Sequence, residues 1–253
     1  MAQPTDLESV VQRIVGETVF APVKRGDVVA ETVARLGQAI GMGLLQPGDR
    51  LPPETRLADD LGISLVSLRS ALTMLRGAGL VETRRGRGGG TFVTSDARRV
   101  AAVGDDPIPT EEQLRDLVDY RCVIEGGAAA LAAERATPAQ IEHLSGFAAG
   151  MRDVTSFPQW SERDTMLHLV IADASGSSRL TSEIGRVRSE VFRISRLVPV
   201  PAGARELADR EHRTLIRAIA ARQPDEARSA MVRHVESTRA LWLGLGRIAS
   251  IAE

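Results

Sequence analysis

Aromatic side chains make up only 3% of the 253 residues. A core must therefore come from Leu, Ile, Val and Ala. There is a single cysteine, Cys122, which excludes an internal disulfide and suits a reducing cytoplasm. No apolar run approaches the roughly 20 residues that a membrane helix needs, and the first residues lack the apolar core of a secretory signal. The chain is therefore expected to be cytoplasmic, with no membrane partner. The net charge of −1 gives no chain-wide excess of either sign. There is no HExxH zinc-protease motif and no phosphate-cradling loop. The run Gly86–Gly90 is not GxGxxG, because Thr91 stands where the last glycine belongs. No internal repeat or low-complexity tract interrupts the chain. What remains is 43% hydrophobic and 26% charged residues, ordinary for a globular protein of one or two domains.

The small net charge hides an asymmetry. Residues 24–99 hold 12 Lys+Arg against 8 Asp+Glu, whereas residues 100–253 hold 19 against 22. The basic surplus clusters at Arg84, Arg85, Arg87, Arg98 and Arg99, as a phosphate-contacting face requires. The same region reads as helix, turn, helix and glycine-tipped hairpin. Pro53 suits a first helical turn, and Leu57, Ala58 and Leu61 recur at helical spacing. Gly62 ends that helix, since glycine takes the left-handed conformation freely. Ser64 is a natural cap for a second helix with Leu68, Leu72 and Leu75 facing inward. Gly77 and Gly79 stop it. Val81–Arg84 and Thr91–Thr94 are short β-prone runs joined by the glycine-rich tip.

This pattern resembles the winged helix-turn-helix domain of GntR-family bacterial transcriptional regulators. The resemblance rests on Pro47-Gly48-Asp49 before Leu51-Pro52, on Glu54 opening the next helix, and on Arg69, Ala71 and Leu72 in the recognition helix. It extends to the glycine tip before Thr91, Phe92 and Val93. It implies that Thr55, Arg56, Ser64, Leu65, Ser67, Arg69, Arg85, Arg87 and Gly88 lie where DNA is contacted. Two positions depart from the family. Thr55 stands where an arginine is usual after the glutamate, and Leu65 follows Ser64 where an arginine is usual. Arginine reads guanine O6 and N7, whereas an aliphatic side chain can touch only a thymine methyl. Leu65 and Val66 either shift preference toward A·T pairs or, for Leu65, simply pack.

Along the chain, residues 1–25 read as an N-terminal extension with an amphipathic stretch through Leu7, Val10, Val11, Ile14 and Val15. Residues 26–96 form the winged domain, opened by Asp27 capping a helix from Val28 to about Met42. Residues 97–109 read as a linker. Thr110 with Glu111 and Glu112 then opens an all-α bundle of about six helices over 110–253. Breaks are expected near Thr137-Pro138, Pro158, Gly176, Pro199–Gly203 and Gln223-Pro224. The expected fold class is mainly α: a winged helix-turn-helix followed by a helical bundle.

The bundle carries four histidines. Asp164 and His168, four residues apart, share the helix stripe of Trp160, Leu167 and Ile171. His212 lies in line with Ala208, Leu215, Ile216 and Ile219, and His234 with Met231, Val235, Thr238 and Leu241. His143 projects opposite Ile141, Leu144 and Ala148, toward solvent. Three imidazoles and a carboxylate thus aim at one interior. Either they satisfy one another as a polar core or they hold a divalent ion such as Zn, Ni or Mn. Glu211, next to His212 in sequence, is expected to point off that face.

The region from about Thr110 to Ala240 resembles the FCD effector domain of the FadR subfamily. The resemblance rests on Arg121, Glu125 and the run Ala128–Ala133, then on Asp164-x-x-x-His168, on His212 after Glu211, and on His234. Leu167 stands where phenylalanine is usual, and Ser177 or Ser178 where asparagine is. The resemblance implies a metal held by Asp164, His168, His212 and His234, with open positions for a carboxylate effector. Arg121 is the candidate effector contact, against an intrahelical pair with Glu125. The expected protein is a dimeric repressor or activator on a pseudo-palindromic operator, and not an enzyme. The alternatives are a metal-free bundle that binds an acyl-CoA or another apolar ligand, and a metal-dependent hydrolase.

Overall fold

The computed structural model describes residues 4–23, 28–95, 109–151, 154, 156–197 and 202–249. The capping role of Asp27, the arginines Arg98 and Arg99, and nearly all of the expected linker lie outside the described residues. Cα packing divides the chain into two compact units, Val11–Asp106 and Pro107–Glu253 together with Met1–Val10.

The extension begins with helix α1, Pro4–Thr18, which buries Val10, Ile14 and Val15. The residues after α1 are fastened to the winged unit: the Val23 N–H donates to the Leu61 carbonyl at 2.8 Å, and the Arg35 guanidinium reaches the Ala21 carbonyl. Helix α2 spans Val28–Gly41, α3 Glu54–Leu61 and α4 Leu65–Gly77. Helices α2 and α3 both pack on α4, closing a core of Leu36, Ile40, Leu57, Leu61, Leu68, Leu72 and Leu75.

The local signals act as the sequence suggests. Gly62 takes φ 65° and ends α3. The Ser64 hydroxyl caps α4 by accepting from the Ser67 N–H at 3.0 Å. Pro53 sits one residue earlier than expected, at the cap of α3 rather than inside its first turn. Strands β1, Val81–Arg84, and β2, Gly90–Val93, pair antiparallel with Val81 opposite Val93 and Arg84 opposite Gly90. Strand β2 therefore starts one residue before the expected Thr91. Thr94 falls outside it because its hydroxyl and N–H turn to the Gly79 and Leu80 carbonyls.

The second unit holds six helices among the described residues: α5 Glu111–Arg135, α6 Pro138–Gly150, α7 Phe157–Ala174, α8 Ser178–Leu197, α9 Ala202–Ala220 and α10 Pro224–Ala249. Thr110 with Gln113, and Thr137 with Gln140, form reciprocal capping boxes at the starts of α5 and α6. The expected break near Pro158 falls just before it, between Gly150 and Phe157; Pro158 itself lies in the first turn of α7, behind the Ser156 cap, where its missing N–H matters least. Helix α10 runs along α5 as the most extensive packing of the unit, with α9 against α10 and α7 against both α5 and α8. A Cβ on Gly126 would stand 3.1 Å from Val232 Cγ2, so the glycine lets α5 and α10 approach closely. That approach carries α5, α7, α9 and α10 to one centre. No helix among the described residues is long and apolar enough to cross a membrane.

Candidate metal centre and nucleic-acid interface

Asp164 and His168 on α7, His212 on α9 and His234 on α10 are all buried, and one ligand atom from each lies within 4.8 Å of the others. His234 Nε2 is 3.2 Å from His168 Nε2 and 3.2 Å from His212 Nε2. Asp164 Oδ1 is 3.2 Å from His212 Nε2 and 3.8 Å from His168 Nε2. Atoms bound to one ion at about 2.1 Å stand about 3.0 Å apart at right angles and about 3.4 Å apart at the tetrahedral angle. The spacing thus matches a shared cation.

The outer ring nitrogens decide how the inner ones behave. His168 Nδ1 faces Glu125 Oε2, and His234 Nδ1 faces Glu211 Oε2 at 3.0 Å. A carboxylate only accepts, so both rings carry their proton on Nδ1. The two Nε2 lone pairs then confront each other at 3.2 Å, which is no hydrogen bond. Asp164 Oδ1 and His212 Nδ1 are buried without a hydrogen-bond partner. A divalent ion among these atoms would remove the lone-pair conflict and would take Asp164 Oδ1 as a ligand, so the donor set fits a metal.

The protonation states agree. Burial holds His168 down to about 3, and Arg188 adds to this. Burial, followed by His212, also lowers His234. Burial, the largest single influence, would raise the Asp164 and Glu125 carboxyls, but Arg188 with His212 and His168 together outweigh it at Asp164, and Arg121 with His168 and Arg188 at Glu125, so both are held below the usual carboxylate range. With their affinity for protons lowered, His168 and His234 beside the ionised Asp164 are ready ligands. Cys122 is no part of it: burial pushes its thiol up to about 11.

Arg121 pairs with Glu125 at 2.6 Å, each 1% exposed, so the intrahelical pair forms and steadies the carboxylate on His168. A small cavity of about 70 Å³ opens beside Asp164 and His234, lined among others by Arg188, Glu211, Ser237, Trp160 and Trp242. Arg121 does not line it. Two expectations are corrected. Glu211 does not point away from the cluster; lying next to His212 on α9, it lands against α10, where it accepts from His234 and, at 2.6 Å, from the Ser237 hydroxyl. His143 is half-buried rather than solvent-facing, with its Nδ1 covered.

In the winged unit the positions read as DNA contacts lie on the surface. Thr55, Arg56, Ser64, Arg69, Arg85, Arg87 and Gly88 are exposed, while Leu65 and Ser67 are half-buried. Arg69 Nε donates to Glu54 at 2.8 Å, and Arg56 lies 3.7 Å from Asp60. At the wing, the Arg84 guanidinium sits 4.4 Å over the Phe92 ring, and Arg50 donates to the Gly89 carbonyl at 2.5 Å.

Comparison with known proteins identifies the two domains. Residues 29–93 match the model of bacterial regulatory proteins, gntR family, and residues 116–237 match the FCD domain. The chain is 32% identical over 239 residues to RmpR of Mycobacterium gastri, covering 93% of this chain and 84% of that one. The chain belongs to the GntR family of bacterial regulators. It is also 30% identical over 231 residues to the Glc operon transcriptional activator of Escherichia coli K12, covering 84% of this chain and 87% of that protein. The E. coli McbR/YncC structure shares the fold, with TM-score 0.52 and 20% identity over 86% of this chain and 97% of that one. The relatives named here as acting on genes are transcriptional regulators, not enzymes.

This GntR-family regulator carries the GntR module in its N-terminal half and the FCD bundle after it, with a buried Asp-His cluster able to hold a metal ion. Reading along the sequence found all four cluster residues, because each sits on an apolar stripe. It missed Arg188 and the role of Glu211. Both act across helix pairs, and only the alternating charge of α8 and the Glu-His dipeptide on α9 hinted at them.

Proposed function

We propose that the protein is an effector-responsive DNA-binding regulator that binds a pseudo-palindromic operator as a homodimer. In this reading residues 26–96 are the DNA-binding domain, 97–109 a linker and 110–253 the sensing domain, and the protein works in the cytoplasm. The recognition helix α4 enters the major groove, with Ser64, Leu65 and Ser67 nearest the bases. Arg56, Arg69, Arg85 and Arg87, with Thr55 and the Gly88 backbone, contact phosphates. Asp164, His168, His212 and His234 hold a divalent ion (Zn, Ni or Mn), which supplies a Lewis-acid centre for an oxygen ligand. The observation that carries the sensing half is the pair of bare Nε2 atoms facing each other at 3.2 Å.

The effector proposed is a small organic acid. A cavity of about 70 Å³ has room for a few waters or a short acid, and none for an acyl-CoA, which disfavours the metal-free apolar reading. Family membership disfavours the hydrolase reading. One relative is named for an L-lactate dehydrogenase operon, and lactate is a short hydroxy acid. Arg188 lines the cavity and is the guanidinium placed to meet the acid's carboxylate, while Arg121 acts on the site through Glu125. The test is operator capture from genomic fragments, repeated with a panel of short hydroxy and keto acids on metal-loaded protein. An acid that changes operator affinity must itself bind with an affinity changed by operator, by the same factor. Equal acid affinity with and without operator defeats the coupling.

A further inference from the structure

Helix α4 presents a surface unlike that of a guanine reader. Val66, its second residue, is 74% exposed, and the first turn of such a helix is the part that meets base edges. Leu65 beside it is half-buried. The polar neighbours are turned to one another or to the helix itself. Ser64 and Ser67 hydroxyls lie 2.8 Å apart. Ser70 Oγ donates to the Val66 carbonyl at 3.1 Å, and Thr73 Oγ1 donates to the Arg69 carbonyl at 2.8 Å. Arg69, next to Leu68 on the helix, is drawn toward Glu54 at 2.8 Å. Reading guanine in the major groove takes donors aimed at O6 and N7. Here the first turn instead exposes an isopropyl group, that of Val66.

We propose that Val66 reads a thymine C5-methyl group and is the residue that sets base preference at one position of each half-site. The inference rests on the reading that α4 lies in the major groove. The thymine methyl is the apolar feature that the four bases display there, and pressing it against Val66 removes both surfaces from water. Burying one methyl-sized group is worth about fourfold in affinity. From sequence, Leu65 and Val66 together carry this preference, with packing as the alternative for Leu65; the greater exposure of Val66 favours it for the contact.

The experiment uses the full-length protein. Duplexes are first selected from a random library at low salt. Each thymine of the winning half-site is then replaced by deoxyuridine, which lacks only the methyl, and affinities are compared at one fixed salt concentration. We expect one thymine per half-site whose replacement weakens binding about fourfold, and a Val66→Ala protein that no longer distinguishes the two bases there. Val66 is on the surface, so this variant folds as the parent does, which its unfolding curve checks. Equal binding of thymine and uracil at every position overturns the inference and leaves the groove reading intact. So does a Val66→Ala protein that keeps the distinction, or a Leu65→Ala protein that alone loses it. If no duplex of any sequence is bound at low salt, the groove reading fails and this inference falls with it.

Discussion

Among the described residues the winged unit buries no charged side chain, whereas the bundle, besides its surface charges, buries a cluster of them. Around the wing, Arg84 meets Glu82 at 2.7 Å and Arg56 meets Asp60 at 3.7 Å, with each side chain at least 40% exposed. Such pairs contribute about 0–1 kcal/mol. In the bundle, Arg121, Glu125, Asp164, His168, Arg188, His212 and His234 are no more than 7% exposed. Each of those that has a partner depends on it, because a buried charge left alone is costly. The difference separates two tasks. A surface of loosely held cations can engage a polyanion without disturbing the fold. A buried polar cluster couples whatever it binds to the stability of the helices that carry it.

The widest gap between the two regions should appear on truncating one acid in each. Glu125→Ala strands Arg121 and releases His168 Nδ1, and is expected to destabilise by about 3–5 kcal/mol. That corresponds to a drop in Tm on the order of 10 °C. Glu82→Ala on the wing should stay within about 0.5 kcal/mol of the parent. Thermal unfolding followed by circular dichroism measures both. Equal shifts would erase the distinction.

Metal should act on the bundle alone. With free ion at about 100 times its dissociation constant, loading stabilises by about 2.7 kcal/mol. A chelator should therefore lower the Tm of the full chain, and zinc, nickel or manganese should restore it. His212→Ala should abolish the response. Elemental analysis of the loaded protein gives an independent reading. A Tm indifferent to chelator and ion would return the quartet to the role of a satisfied polar core.

Acid should expose the same cluster in the metal-free protein. His168 is held at about 3 in the folded state, against 6.5 for the free group. Between those values the unfolded chain binds the additional proton. Stability therefore falls as pH drops from 6.5 toward 3, by up to about 1.4 kcal/mol per pH unit for this one group. His234, lowered by burial and then by His212, pushes in the same direction. Urea unfolding midpoints across that range measure the slope, and a flat profile would mean that His168 is not held neutral.

The two regions also differ in how far they are legible from sequence. The winged unit announces itself through local signals: the Gly62 stop and the Ser64 cap each act within a few residues. Those rules place an element boundary to within a residue, as at Pro53 and β2. The quartet is legible for another reason. Each member sits on the apolar stripe of its helix, and a polar residue there must find a partner inside. Contacts between helices stay hidden. Periodicity assigns Glu211 outward because it describes one helix at a time, and a residue off the His212 stripe is still inward when α10 lies beside it. Arg188 is lost among the arginines of α8, since nothing in its own neighbourhood marks it as the partner of Asp164 on α7.

The smallest expected effect tests the surface half of the contrast. Arg87 lies exposed at the wing tip, so Arg87→Ala should leave the unfolding curve unchanged. If the side chain rests on a phosphate, removing it cancels the release of about one counterion, and the slope of log affinity against log salt should flatten by about 0.9. Base preference should not change, because phosphate contacts carry no sequence information. Arg84 provides the counter-case. Its guanidinium lies 4.4 Å over the Phe92 ring, so Arg84→Ala should loosen the wing as well as remove a charge. If Arg84→Ala flattens the salt slope and Arg87→Ala leaves it alone, the phosphate contact belongs to the strand and not to the tip.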